Sequence, residues 1–146
     1  MKSVRPELVE GRTASALRTH LAHSRRSLAK LDVLATRRRL TRMEREAAFL
    51  RLSFASLSIE KAAQRYLTAR EGIEIGSPKA CIRSSHALGL LTPKQAEVAF
   101  EMAKDRNDIV RTYKAAIAER IRRRLPRYAK LLRIWLDAID KAARAA

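Results

Sequence analysis

Arg106, Asn107, Arg111 and Tyr113 stand close together in the stretch Asp105-Arg106-Asn107-Asp108-Ile109-Val110-Arg111-Thr112-Tyr113. An arginine in such a cluster can hold a phosphate group, because its planar fork matches two phosphate oxygens in one bidentate contact. Arg106 and Arg111 are five positions apart. On a helix that is about 500° of rotation, which leaves them about 140° apart around the axis. They converge only if the helix ends there or if two subunits face each other. Arginine stays protonated near neutral pH, so neither residue is suited to move a proton, although both can grip phosphate. Plainer roles stand beside these. Arg106 could form a surface salt bridge with Asp105 or Asp108, Asn107 could cap or brace the helix end, and Tyr113 could simply pack there as an aromatic.

Other chemistries lack the residues they need. No Gly-rich phosphate loop, His-rich zinc motif or paired-carboxylate signature is present. His20, His23 and His86 read as surface or satisfied helix histidines. Glu44 and Glu46 read as helix-surface charges. Trp135 and Phe100, at helical spacing in a chain with only 5% aromatic residues, read as core and not as a base-stacking platform. No metal and no cofactor is expected. The single cysteine, Cys81, cannot form an internal disulfide, which fits a reducing cytoplasm and excludes a Cys-rich zinc site. No apolar run approaches the roughly 20 residues of a membrane span.

Charge is the strongest compositional signal. With 32 Lys+Arg against 15 Asp+Glu, the net charge is +17. The excess is clustered. Arg12 to Arg45 holds ten basic residues against Asp32 and Glu44, and Arg111 to Arg133 holds nine against Glu119. Such a surface attracts a polyanion or an acidic protein partner; a solvated helix face is the plain alternative.

The elements that must position these residues read as helices. Apolar residues make up 47% of the 146, and Gly and Pro number only four each, which leaves little punctuation for a β-rich fold. Residues 1–12 read as a flexible N-terminal arm, and 13–146 as one helical domain. Helix one is expected over about Ala14–Arg39, with Leu17, Leu21, Leu28, Leu31 and Leu34 in one stripe. Helix two is expected over about Met43–Arg70, with Ala47, Leu50, Phe54, Leu57, Ala63, Tyr66 and Leu67 facing inward and Gly72 as the stop. Ser77-Pro78 and Thr92-Pro93 look like paired cap and first-turn signals opening helices three and four. Cys81, Ile82 and Leu88 are expected inside on helix three. Ala96, Ala99, Phe100, Ala103 and Ile109 or Val110 are expected inside on helix four. Helix five, about Ala115–Ala142, carries Ile117, Ile121, Leu125, Tyr128, Leu132, Trp135 and Ile139 on one face. Pro126 should kink it or end its first part. The result is an all-α, up-down bundle of about five helices.

The pieces Ser77-Pro78-Lys79, Ile82-Arg83, Gly89-Leu90-Leu91, Asp105-Arg106-Asn107, Thr112-Tyr113 and Arg124-Leu125-Pro126-Arg127-Tyr128 occur in an order and spacing that resembles the nucleotidyltransferase substrate-binding family of the HEPN superfamily. They span about residues 43–139, most of the chain. The superfamily signature is R-x4-H-x-Y, and this chain places Arg111 where the family has His. The resemblance implies a HEPN-like bundle that dimerises, so that two motifs meet across a basic cleft. It also implies a toxin-antitoxin pairing with a minimal nucleotidyltransferase, metal-independent RNA cleavage by Arg106, the residue at 111 and Tyr113, and nucleotide attachment to Tyr113. Arg106, Asn107 and Arg111 would contact RNA or nucleotide phosphates. Cleavage needs a proton-moving His, so Arg111 implies a ribonuclease motif that is inactive as written. Arg111 could mark a natural binding-only subunit or an inactivated variant, or activity could survive through another group. The alternative from charge alone is a non-catalytic basic nucleic-acid-binding helical module.

Overall fold

A computed structural model describes residues 6–145. Five helices follow in order: α1 (Pro6–Ala35), α2 (Arg42–Glu71), α3 (Pro78–Ala87), α4 (Pro93–Arg111) and α5 (Ala115–Arg144), with no strand among the described residues. α1 runs antiparallel to both α2 and α5. Asp32 of α1 meets Arg133 of α5 while Arg25 meets Asp137 and Asp140, so α1 and α5 are antiparallel. Arg70 of α2 reaches the carbonyl of Ala143, so α2 runs alongside α5. α1, α2 and α5 pack against one another, α4 packs on α5, and α3 bridges α2 and α4.

The cap signals do what their chemistry suggests. Thr41 accepts from the Glu44 amide at 3.1 Å while Glu44 accepts from the Thr41 amide at 3.0 Å. Thr92 and Gln95 form the same reciprocal box at 3.2 and 2.9 Å. Ser77 caps α3 through the Ala80 amide at 3.1 Å. Each such cap contributes about 1 kcal/mol. Gly72 ends α2 at φ 65°, where its N–H reaches the carbonyls of Leu67 and Thr68; a residue with a Cβ would be strained there.

The core is built as expected on α1 and α5. Leu17, Leu21, Leu28 and Leu31 are buried, as are Ile121, Leu125, Tyr128, Leu132, Trp135 and Ile139. Trp135 is fully buried, and its indole N–H donates to Ser85 Oγ at 3.2 Å, tying α5 to α3.

Four expectations need correction. First, α1 begins at Pro6, so the stretch read as an arm is helical from there; Gly11 sits inside the helix, and residues 1–5 lie outside the described residues. Secondly, α5 runs through Pro126, so of the two outcomes expected there the early end does not occur. Thirdly, the first half of the α2 face expected inside is outside, while Ala63 and Leu67 are buried and Tyr66 packs against the core as expected. Ala47 is exposed, as are Leu50, Phe54 and Leu57 at 50–53%. The buried stripe is Ala48, Leu52, Ala55, Ile59 and Ala62. Apolar residues surround α2 on most sides, so periodicity alone could not select the face. Finally, Leu88 is exposed just past the end of α3, whereas of Ile109 and Val110 it is Ile109 that packs against the core.

Candidate functional site

α4 packs on the bundle through three alanines and a methionine. Ala96, Ala99, Met102 and Ala103 are buried, and the same helix then carries Asp105 and Arg106 inward side by side. Consecutive helical residues point about 100° apart, so the two face different neighbours.

Asp105 faces α5 and is 1% exposed. Arg124 donates to both its oxygens at 3.0 and 3.2 Å, Arg120 donates at 3.2 Å, and the Tyr128 hydroxyl donates to it as well. Burial, with the Asp105 charge behind it, pushes the Tyr128 phenol well above its ordinary value. Tyr128 therefore stays a hydrogen-bond donor.

Arg106 faces α2. Its Nη1 donates to Ser56 Oγ at 2.7 Å and to Glu60 Oε1 at 3.1 Å, and all three residues are buried. Burial pushes the Glu60 carboxyl up, and Arg106 pulls part of that shift back. The Glu60 backbone carbonyl also accepts from the Cys81 thiol at 3.4 Å. Burial first, and the Glu60 charge second, push that thiol up to about 12. The salt bridge foreseen for Arg106 with Asp105 or Asp108 is absent. Asp105 pairs with Arg120 and Arg124 of α5, and Asp108 pairs with Arg120 at 3.0 Å.

The other motif residues lie outside. Asn107 is exposed, and Arg111 is exposed as the last residue of α4. The Thr112 amide caps that end on the Asp108 carbonyl at 2.9 Å. Tyr113 is 49% exposed and sets its ring edge-on to Phe49 of α2, with centroids 6.3 Å apart. Arg106 and Arg111 thus do not converge within one subunit. Arg106 and Tyr113 do share a neighbour, because Phe49, Ser56 and Glu60 fall on one side of α2, at spacings of seven and four. The guanidinium of Arg106 has five N–H donors; those on Nη1 are engaged, and those on Nε and Nη2 have no partner among the described residues.

Ser56 and Glu60 were missed in the sequence. Their signal was a serine and a lone acid four apart, inside the apolar middle of a helix. The α5 charge cluster was also misjudged by counting along the chain. Glu101, Asp105 and Asp108 of α4 face it and pair with Arg120, Arg124 and Arg127. His20 is satisfied through Nε2 by the Ser58 carbonyl at 2.7 Å, while His23 and His86 are exposed. No group of three His, Cys, Asp or Glu that could hold a metal occurs among the described residues, and no described helix is long and apolar enough to cross a membrane.

The family described as nucleotidyltransferase substrate binding protein like matches residues 19–141. A crystal structure of a protein from Thermus thermophilus is similar at a TM-score of 0.76 and 38% identity, covering 80% of this chain and 98% of that one. No curated protein matches the sequence.

Proposed function

The chain belongs to the nucleotidyltransferase substrate-binding-like family, and we propose that it is the HEPN-type subunit of a toxin-antitoxin pair with a minimal nucleotidyltransferase, binding RNA or nucleotide phosphates without cleaving them. The observation that carries this reading is the arrangement at the end of α4. Arg111 and Tyr113 are exposed there, while Arg106 behind them is oriented by Glu60 and Ser56. Arg111 grips phosphate and moves no proton. Arg106 offers the Nε and Nη2 edge of its guanidinium, and Asn107 a further polar contact. In the cytoplasm no metal or cofactor is required for this binding.

A second copy of the chain docks on the outward face of α2. Met43, Ala47, Leu50, Phe54 and Leu57 are exposed on it and recur at alternating spacings of four and three. That alternation is the seam of a paired helix, and a self-complementary seam suits two copies. The seam runs beside the face that carries Phe49 under Tyr113, so pairing along it draws the two motif ends toward one cleft.

Tyr113 is the acceptor in a nucleotidyl transfer. Its hydroxyl oxygen bonds the α-phosphorus of a nucleoside triphosphate, pyrophosphate leaves, and the phenolic proton passes to solvent. The half-exposed ring, braced on Phe49, presents that oxygen to a partner. The test is to incubate the chain with a minimal nucleotidyltransferase and ATP, then map the product by mass spectrometry. Modification at Tyr113, abolished in Tyr113→Phe, supports the reading. An unmodified chain that also fails to bind the enzyme argues for the plain basic RNA-binding module instead.

A further inference from the structure

The cationic surface is not evenly used. On α5, Arg120, Arg124, Arg127 and Arg133 each meet an acid of α4 or α1. The cleft between the first half of α1 and the middle of α2 differs. An open cavity of about 640 Å³ there is lined by Arg12, His20, His23 and Arg26 of α1 and by Arg65 of α2, and no acid lines it among the described residues.

Its floor is fixed. The Ser58 carbonyl can only accept, so His20 Nε2 carries the proton and donates at 2.7 Å. That bond anchors the ring to α2, and Nδ1 has no partner among the described residues. The Ser24 and Ser58 hydroxyls, 2.6 Å apart and buried, lock the two helices one turn further along. The His23 ring lies 6.1 Å from that of His20. Burial first, then Arg65, His23 and Lys61, hold the His20 imidazole below its ordinary value. Several basic residues thus crowd one opening, with no acid among the described residues that line it.

We infer that this cleft is a second phosphate-binding site, distinct from the end of α4, which takes the phosphate chain of a polyphosphate or of an RNA backbone. Arg26 and Arg65 stand on separate helices, so they can fork onto a phosphate from two sides, a contact stronger than a lone charge gives. His20 and His23 add N–H donors when protonated. The site does not rest on the motif. Ser58, which holds His20, and Ser56, which holds Arg106, are two residues apart, about 200° around α2. The two sites therefore lie on different sides of that helix.

Specific binding must be told apart from the general attraction of a +17 chain. The experiment compares Arg26→Gln/Arg65→Gln with Arg38→Gln/Arg39→Gln, which removes equal charge from the exposed α1–α2 connection. Calorimetric titrations with inorganic tripolyphosphate and with a short oligouridylate are run at one fixed ionic strength. The cavity pair should weaken binding by roughly tenfold or more, because charge-assisted hydrogen bonds are lost, and the control pair by no more than about threefold. In the native chain the imidazole proton resonances of His20 and His23 should move during titration, and that of His86 should not. A response to tripolyphosphate identifies a free polyphosphate as a sufficient ligand; a response to oligouridylate alone identifies the RNA backbone. Equal losses in both pairs, or imidazole resonances that stay still at saturation, would overturn the site. Should the cavity pair fold poorly by circular dichroism, Arg65→Gln alone and the native imidazole shifts decide.

Discussion

Replacing Arg106 by Met tests whether the buried pair with Glu60 holds α4 in place. The substitution removes both Nη1 contacts, at 2.7 Å to Ser56 and 3.1 Å to Glu60. It leaves a carboxylate on a residue only 7% exposed, with no cation to face. Breaking one side of a buried pair costs about 3–5 kcal/mol. For a domain of this size that is a fall in Tm of roughly 10–15 °C. Because burial already pushes the Glu60 carboxyl up, it can escape part of the penalty by taking a proton, so the loss should be smaller at pH 5 than at pH 8. Glu60→Leu/Arg106→Met removes both charges and should recover most of the stability. Urea unfolding followed by the fluorescence of buried Trp135 measures all three proteins. A loss under about 1 kcal/mol for Arg106→Met, with no recovery in the double variant, would refute the pairing. If the pairing stands, RNA binding should be compared between the double variant and the native chain, since the single variant mixes a folding defect with a binding one.

Three further outcomes follow from the same structure. Cys81 is 2% exposed with its thiol pushed up to about 12, so iodoacetamide should leave it unmodified in the folded chain and label it on unfolding, as read by mass spectrometry. Glu119 is pulled down to about 2, by Arg122 first and then Arg123, from an ordinary value of 4.5. A carboxyl depressed on folding adds stability above its unfolded value and loses it as pH falls through the folded one. Thermal melts should therefore drop between about pH 4.5 and 2, and Glu119→Gln should blunt the drop. Phe54→Glu places a charge in the exposed α2 seam; it should yield a monomer by light scattering while leaving helix content unchanged, and a native monomer would remove the paired-copy reading.

How much could be read beforehand depended on whether a signal was local. Ser77-Pro78 and Thr92-Pro93 marked two helix starts correctly, because a cap acts within four residues. The α1 and α5 stripes were legible because each helix buries one side. The first half of α2 was not, because the helix faces α1, α3, α5 and the outward seam, and its apolar residues run around it. The motif was visible as a string of residues, but its division into an inward Arg106 and an outward Arg111 and Tyr113 was not. That division depends on Ser56 and Glu60, which lie 50 and 46 positions earlier. Pairing across such distances leaves no trace in spacing. The same blindness made α5 look like a free cationic strip, when acids of α4 face it.

Under the proposed function the end of α4 holds phosphate without cleaving RNA, because Arg111 offers no group that moves a proton. The most direct test incubates labelled RNA with the native chain and with Arg111→His, each at a concentration that saturates binding, and resolves the products on a gel. The native chain should bind RNA and leave it intact, while Arg111→His should cut it without added metal. Cleavage by the native chain, or a folded, RNA-bound Arg111→His that cuts nothing, would contradict the claim.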